Sequence, residues 1–182
     1  MAVLPLSILG DPVLRRKAEP VTEITDAHRR LIRDMYDTMH AHNGVGLAAP
    51  QVGVSLRIAV LGIPREDEKI VRLALINPEW SNPRGAQTDD EGCLSVPGLY
   101  DEMRRVLQVD VKALDEKGEP ISFTCEGLFA RAVQHEVDHL NGVLYIDRLG
   151  ALRRQRHKQQ LREIEERGRE EAAARTAGPP PA

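Results

Sequence analysis

Two histidines spaced four residues apart in an apolar stretch constrain this chain more than any other feature. The stretch from Gly127 to Asn141 has helical periodicity and contains His135, Glu136 and His139 in an H-E-x-x-H arrangement. Residues four apart lie on the same face of a helix, so both imidazoles can reach one metal ion. Glu136 lies about 100° around the helix from His135, within reach of a metal-bound water. The spacing therefore predicts a helix that presents two metal ligands with a carboxylate close by.

A metal site of this kind needs a further ligand. Catalytic tetrahedral sites usually have three protein ligands and one open position. Downstream of the helix the only histidine is His157, which lies in a highly polar segment. Upstream, Cys93 follows Gly92, which allows close backbone approach, and a thiolate is a strong ligand for zinc or ferrous iron. We predict a Cys-His-His ligand set that Cys93 completes.

The segment from Gly44 to Gly53 is rich in glycine and alanine and has no charged residue. Such a stretch lets the backbone lie against a ligand, because little side chain is in the way. Gln51 would then supply a neutral amide donor to a developing oxyanion. The alternative is a tight loop between a helix and a strand.

Together these segments resemble the three signature motifs of the peptide deformylases. The motifs are G-V-G-L-A-A-P-Q at 44–51, E-G-C-L-S at 91–95 and Q-H-E-V-D-H-L at 134–140, in the family's order. Residues 8–15 also resemble the family's opening, and the resemblance covers roughly residues 4–150. It implies a metalloenzyme that hydrolyses the N-formyl group from the formyl-methionine end of nascent polypeptides, releasing formate.

The resemblance also implies a role for each residue of the site. Cys93, His135 and His139 would bind one divalent ion per chain, Fe²⁺ in the family, with Zn²⁺, Ni²⁺ or Co²⁺ in purified protein. Glu136 would be the general base and proton shuttle. Gln51 and the backbone N–H of Leu94 would stabilise the oxyanion. The implied substrate cleft is lined by Val45, Gly46, Glu91, Gly92 and Tyr100.

Further substrate contacts follow from helical spacing. Leu128 and Ala132 precede His135 by seven and three positions and share its face. They would wall an apolar pocket for the methionine side chain; the alternative is ordinary core. The peptide backbone would pair as an added strand along residues 44–46. Tyr100 stands where some family members carry an arginine, so contacts beyond the methionine are expected to differ.

The periodicities predict one α+β domain over residues 1–150, with mostly antiparallel strands around the H-E-x-x-H helix. A helix is expected at Ala27–His42, with Asp26 as its N-cap. Cys125 is predicted to be core or pocket wall, because it ends an alternating run. The predicted strands are Leu56–Leu61, Val71–Ile76 ended by Asn77 and Pro78, Val106–Ala113, and its hairpin partner Ile121–Cys125.

The C-terminal segment differs in composition. Residues 148–175 contain nine Lys/Arg and five Asp/Glu, a net charge of +4 in a chain of net −3. We predict a charged helical extension over 151–175, with Leu152, Leu161 and Ile164 as a thin apolar stripe, and a disordered tail over 176–182. Mixed charge along a helix commonly means a solvated face. The alternative, implied by the resemblance, is docking to ribosomal RNA.

Composition narrows the remaining possibilities. Two cysteines, one of them a predicted ligand, indicate a reducing compartment without a disulfide framework. The N-terminus lacks a signal peptide pattern, so we expect a cytoplasmic protein that does not bind membranes. We also expect a monomer. Two other classes stay open. A different metal-dependent amidase or peptidase would need a downstream third ligand, and a non-catalytic relative with structural zinc would need a fourth.

Overall fold

Two long helices pack on opposite faces of an antiparallel sheet, because its central strands are apolar on both sides. The computed structural model describes residues 2–64 and 70–177. On strand β2 (Ile58–Pro64), Ile58 and Val60 contact α1 (Asp26–Ala41), whereas Leu61 and Ile63 lie on the other face. That second face packs against α2 (Gly127–Leu140), the helix that carries the two histidines.

Besides β2, the strands are β1 (Gly46–Ala48), β3 (Ile70–Arg84), β4 (Gln87–Cys93), β5 (Val96–Arg105), β6 (Gln108–Leu114) and β7 (Pro120–Glu126). The main sheet has five strands in the order β1-β2-β3-β6-β7, and every pair is antiparallel. A separate two-stranded sheet, β4–β5, lies beside it. Single turns of 3₁₀-helix occur at Pro12–Arg15, Ala49–Val52 and Tyr145–Arg148.

The C-terminal helices cover another hydrophobic cluster of the core, separate from the two that pack on the main sheet. They are α3 (Ala151–Arg156) and α4 (Lys158–Ala177). Leu161 and Ile164 of α4 are buried against β5 and the N-terminal segment. A Cβ atom at Gly168 would overlap the backbone of Leu9, so α4 and the N-terminal segment touch backbone to backbone. The prediction of a solvated face is therefore wrong for the side of α4 that carries Leu161 and Ile164. Leu152, in α3, is exposed, in agreement with that prediction.

The predicted α+β class with antiparallel strands is confirmed, and so are the two helices and the four predicted strands, to within a few residues at most ends. The predicted N-cap is wrong, because Thr25 caps α1. The backbone N–H of Thr25 donates to Nδ1 of His28 at 3.1 Å. Asp26 is instead the first helical residue. Cys125 is buried in the core, as predicted.

The predicted stop at Asn77 and Pro78 is also wrong, because β3 continues to Arg84. Asn77 takes a φ of 52° at an irregularity in the β3–β6 pairing. Its side chain accepts from the N–H of Val21 at 2.9 Å and donates to the carbonyl of Val21 at 2.8 Å. Pro78, which has no backbone N–H to donate, lies in this irregular stretch of the pairing, so the strand can continue past the proline.

Strands β1, β4 and β5 were not expected from the sequence. In the tail, a break at His157 separates α3 from α4, and α4 extends to Ala177. The rest of the predicted disordered tail, 178–182, lies outside the described residues. Within the part of the chain that the structure describes, no helix is both long and apolar enough to cross a lipid bilayer.

Candidate metal centre

α2 presents both histidines to one point. His135 and His139 lie one turn apart, and their Nε2 atoms are 3.2 Å from each other. Every residue of α2 from Ala130 to Leu140 is buried. A helix buried on all sides must pair its polar groups internally, and here both imidazoles turn the same nitrogen towards the same place.

Cys93 brings a third donor to that place from the end of β4. Its Sγ lies 3.1 Å from the Nε2 of His139. The donor atoms of Cys93, His135 and His139 all lie within 4.8 Å of one another, the one such group among residues 2–64 and 70–177. Ligands of a tetrahedral ion, with bonds of about 2.0–2.3 Å, are separated by roughly 3.3–3.8 Å. One thiolate and two imidazoles therefore fit zinc, ferrous iron or a similar ion.

Glu91 determines which nitrogen of His135 faces the other donors. The Nδ1 of His135 lies 2.7 Å from Glu91 Oε1, so this nitrogen donates to Glu91 and Nε2 is the nitrogen turned towards the other donors. Burial by itself would raise the pKa of Glu91. Hydrogen bonds from His135 and Arg105 outweigh burial and hold that pKa below its usual range. Glu91 is therefore an anion that orients a proposed metal ligand.

The two histidines differ electrostatically. Burial, together with the charges of His135 and Arg105, lowers the pKa of His139 well below its usual value. Burial acts in the same direction on His135, but hydrogen bonds with Cys93 and Glu91 outweigh it and raise its pKa. A cation bound here must displace a proton from this cluster, so metal binding releases protons.

Arg105 and Asp138 extend the polar network behind the histidines. Arg105 donates from Nη2 to Glu91 Oε1 and from Nη1 to Asp138 Oδ2, both at 2.6 Å. Arg148 donates two further bonds to Asp138, at 2.7 and 2.6 Å. Two buried carboxylates are thus matched by guanidinium groups, as burial of ions requires. The network ties α2 to the β4–β5 sheet.

The side chain of Glu136 extends from α2 towards Gly46 of β1, beside the three donors. A Cβ atom at Gly46 would overlap its Oε1, so only glycine leaves room for the carboxylate. Its Oε2 is buried without a hydrogen-bond partner in the described part of the chain. Burial raises the pKa of Glu136 to about 7. A carboxyl group that titrates near neutrality can both accept and return a proton at physiological pH.

The side chain of Gln51 is fixed at both ends of its amide. Its Oε1 accepts from the N–H of Ala48 at 2.7 Å, which leaves Nε2 on the side of the cluster. Nε2 donates to Ser95 Oγ at 3.3 Å and lies 3.5 Å from Cys93 Sγ. The amide donor therefore stands next to the thiol. Leu94, directly after Cys93, lines a cavity that Gln51 and Cys93 also line.

Comparison with known proteins decides the family. The sequence model of polypeptide deformylase matches residues 3–155. The chain belongs to the polypeptide deformylase family. A peptide deformylase from Alkalilimnicola ehrlichii is 43% identical over 176 residues, which is 97% of this chain and 98% of that protein. One from Halothermothrix orenii is 50% identical over 149 residues, covering 82% and 95% of the two chains.

Solved structures of deformylases share the fold as well. The crystal structure of a peptide deformylase from Legionella pneumophila superposes with a TM-score of 0.83 at 41% identity, covering 98% of this chain and all of that one. Proteins of this family are metal-dependent hydrolases, which agrees with the three converging donors. The alternatives of an unrelated peptidase or a non-catalytic relative are not favoured.

The site residues predicted from the sequence meet around one cavity of about 640 Å³. Of these residues only His139, which is buried, is missing from its lining. Tyr100, Leu128 and Val45 are exposed at its rim, whereas Ala132 is buried. The other predicted residues in the lining are Gly46, Gln51, Glu91, Gly92, Cys93, Leu94, His135 and Glu136.

Several residues of the deformylase site were missed from the sequence. Asp138 and Arg131 carried a usable signal, because charges inside an apolar helix must be paired when that helix is buried. Arg105 carried none, since it ends a strand that was not predicted. Ser95, a partner of Gln51, lies inside a recognised motif without a predicted role.

Proposed function

We propose that this chain hydrolyses the N-formyl group from the formyl-methionine end of nascent polypeptides, using a metal ion held by Cys93, His135 and His139. One observation carries the proposal. The three donors converge beside a cavity whose wall also holds Glu136, a buried carboxyl group whose Oε2 has no hydrogen-bond partner among the described residues. A structural metal site has no use for an unpaired carboxylate beside it, whereas amide hydrolysis does.

The residues divide the chemistry between them. A divalent ion, when bound, lowers the pKa of water and polarises a carbonyl group. Glu136 accepts the proton of the attacking water, whose oxygen bonds to the formyl carbon. Gln51 Nε2 and the backbone N–H of Leu94 donate to the carbonyl oxygen as it gains charge. The C–N bond then breaks, and Glu136 returns the proton to the amine, giving formate and a free N-terminus.

The cavity accounts for how a peptide would be held. A formyl group has no side chain, so recognition must come from the methionine and the peptide backbone. Leu128 and Ala132 supply apolar wall on α2. Strand β1 pairs only with β2 in the described sheet, and its first residue Gly46 and the preceding Val45 line the cavity. An extended peptide can pair there as an added strand.

The first experiment measures formate release from formyl-Met-Ala-Ser. The protein is prepared without oxygen and reconstituted in parallel with iron, nickel and zinc. We expect release with at least one metal, and a loss of about 10²- to 10⁴-fold in the Glu136→Gln variant with metal content unchanged. No release from protein that holds one ion per chain would overturn the proposal. Cleavage of unformylated Met-Ala-Ser would point to a peptidase.

We also propose ferrous iron as the native ion. Thiolate and imidazole ligands suit several metals, so the family resemblance carries the choice. Iron in protein purified without oxygen, with activity that decays in air as Cys93 is oxidised, would support it. Zinc as the only ion in such protein, with full activity, would refute it.

For the C-terminal helices we propose contact with ribosomal RNA. A groove of about 620 Å³ between the N-terminal turn and these helices is lined by five cationic side chains (Arg15, Arg154, Lys158, Arg162 and Arg169) and by two carboxylates (Asp11 and Glu165), so its charged lining is mainly positive. Clustered cations attract phosphates. The double variant Arg154→Glu, Lys158→Glu should weaken ribosome binding while formyl-peptide turnover stays unchanged. Equal ribosome affinity would refute the contact.

We further propose that the enzyme works in the cytoplasm, where nascent polypeptides are made, and that it does so as a monomer. Sedimentation of the active, metal-loaded protein at working concentration tests the oligomeric state. A stable dimer would refute the monomer.

A further inference from the structure

Ser95 carries a buried hydroxyl that has no part in the mechanism above. The residue follows Leu94 in the chain and is fully buried. Burying a hydroxyl costs free energy unless it finds a hydrogen-bond partner. Among the residues that the structure describes, its side chain has one such partner, because Nε2 of Gln51 donates to Ser95 Oγ at 3.3 Å.

This bond restrains the nitrogen end of the Gln51 amide. At the other end, Oε1 accepts from the N–H of Ala48 at 2.7 Å. That contact fixes which way round the amide sits, because a flipped amide would set its NH2 group against another N–H. A single contact at Oε1 still leaves the amide free to pivot about it. The bond to Ser95 removes this freedom.

Ser95 uses one of the two hydrogens on Gln51 Nε2 and leaves the second available. The other group that Nε2 contacts is Cys93 Sγ, at 3.5 Å. Sulfur is a weak acceptor, so a carbonyl oxygen that gains negative charge can take its place. Gln51 lines the cavity, whereas Ser95 does not. Ser95 can therefore act on a substrate only through Gln51.

We infer that Ser95 is a positioning residue that holds the Gln51 amide in place for the developing oxyanion. This rests on the proposed function and deepens it by assigning the support of one of its donors. Without the hydroxyl, a buried N–H loses its acceptor, and the amide pivots towards Cys93 Sγ. The donor is then misplaced at the moment when the carbonyl oxygen gains charge.

The test is a double-mutant cycle of Ser95→Ala and Gln51→Leu, measured by formate release from formyl-Met-Ala-Ser. All variants are reconstituted with the metal that gives the wild type its highest activity, and the bound metal is quantified. A residue that acts through Gln51 has nothing to act on in the Gln51→Leu background. A residue that merely fills space behind Cys93 would cost the same factor in both backgrounds.

We expect Ser95→Ala to lower kcat about tenfold, a part of the 10²- to 10³-fold that loss of a whole oxyanion donor costs. KM should stay the same, because this donor acts mainly in the transition state. Bound metal should also stay the same, because the backbone N–H of Ser95 still donates to Cys93 Sγ. In the Gln51→Leu background, Ser95→Ala should cost less than about twofold, which is the usual error of additivity.

Ser7→Ala is the matched control. Ser7 is as fully buried as Ser95, but its Oγ accepts from Arg175 Nη2 at 3.4 Å, and it does not line the cavity. It should keep the wild-type kcat. Should Ser95→Ala not fold, Ser95→Gly removes the same hydroxyl, and the same difference between the two Gln51 backgrounds is expected.

The outcomes distinguish the inference from the function on which it rests. If the metal-loaded wild type releases no formate, the proposed function fails. If it releases formate but Ser95→Ala keeps the wild-type kcat, or costs the same factor in both backgrounds, only the inference is overturned. A loss of bound metal in Ser95→Ala would also overturn it, because Ser95 would then act on Cys93 and not on Gln51.

Discussion

The carboxylate of Glu91 accepts the Nδ1 proton of His135 at 2.7 Å and so selects the nitrogen that faces Cys93 and His139. The sequence predicted that Glu91 lines the substrate cleft, and in the structure Glu91 lines the cavity beside the three donors. Its hydrogen bonds give it a second role, because its two oxygens accept from His135, Arg105 and Arg131. Partners of this kind commonly affect metal affinity almost as strongly as the ligands themselves.

Replacing Glu91 with glutamine should therefore weaken metal binding. An amide can still contact His135 but carries no charge, so we expect a loss of about 10- to 100-fold in affinity. Competition with a chromogenic chelator measures it. Asp89→Asn, on the exposed part of the same strand, is the control. Unchanged affinity in Glu91→Gln would show that this hydrogen bond does not tune the site.

Gly46→Ala should reduce turnover without removing the metal. The added methyl group overlaps Glu136 Oε1, so the carboxylate must move away from the position it holds. A displacement of about 1 Å can cost on the order of 10²-fold in rate. We expect kcat for formyl-Met-Ala-Ser to fall by roughly that amount at normal metal content.

Gly150→Ala is the matched control for that substitution, because a Cβ there meets nothing within 4 Å. It should retain wild-type kcat. If Gly46→Ala also retains it, Glu136 does not need the space that β1 leaves for it.

Asp101 should contribute stability that disappears in acid. It accepts from His157 Nε2 at 2.8 Å and from Arg153 Nη1 at 3.1 Å, which joins β5 to the C-terminal helices. Burial by itself would raise the pKa of Asp101, but the hydrogen bond from His157, with further help from Glu102 N–H and Arg153, lowers it. The contribution is therefore complete above the pKa of the unfolded chain and is lost as pH falls through the lower, folded pKa.

Urea unfolding at a series of pH values tests this. Asp101→Asn should be less stable than the wild type at neutral pH, and the difference should shrink as the pH falls below about 4. A difference that is constant with pH would mean that the carboxylate charge is not involved.

Gly168→Ala should destabilise the protein although alanine is the better helix former. In an unobstructed helix this change would stabilise by about 1 kcal/mol. Here the new Cβ overlaps the carbonyl oxygens of Leu9 and Ile8, and such overpacking costs about 1–3 kcal/mol. Urea unfolding should show a lower midpoint with unchanged slope. A more stable variant would mean that α4 does not press on the N-terminal segment.

A chain ending after Leu152 should turn over small formyl peptides poorly. From the sequence alone we would expect such a truncation to spare this activity. The contacts argue otherwise, since removing α4 uncovers Val96 and Leu99 and frees the segment that includes Ile8, a residue of the cavity wall. Comparison of kcat/KM for full-length and truncated protein decides between the two expectations.

The sequence was sufficient to predict which residues lie together where their placement depends on local spacing or a complete motif. His135 and His139 share a helix face by arithmetic alone, and Cys93 came from its motif. It was insufficient where partners are distant in the chain. Arg105 reaches Glu91 and Asp138 through a strand that has no clear alternation, and no local pattern marks such a bond. The continuation of β3 beyond Asn77 likewise depends on Val21, 56 residues away.

The backbone contact between Gly168 and Leu9 has a consequence for biosynthesis. Ile8 and Leu9 precede α4 in the chain, so they leave the ribosome before the helix that covers them. Domains fold as their residues emerge, so this part of the core stays uncovered until α4 has been made. A chain that stalls before α4 exposes Leu99, Val96 and Ile8 together, an apolar surface of the kind that makes partly folded chains targets of chaperones and proteases. Stalling before α4 should therefore be more harmful than the charged sequence of that helix suggests.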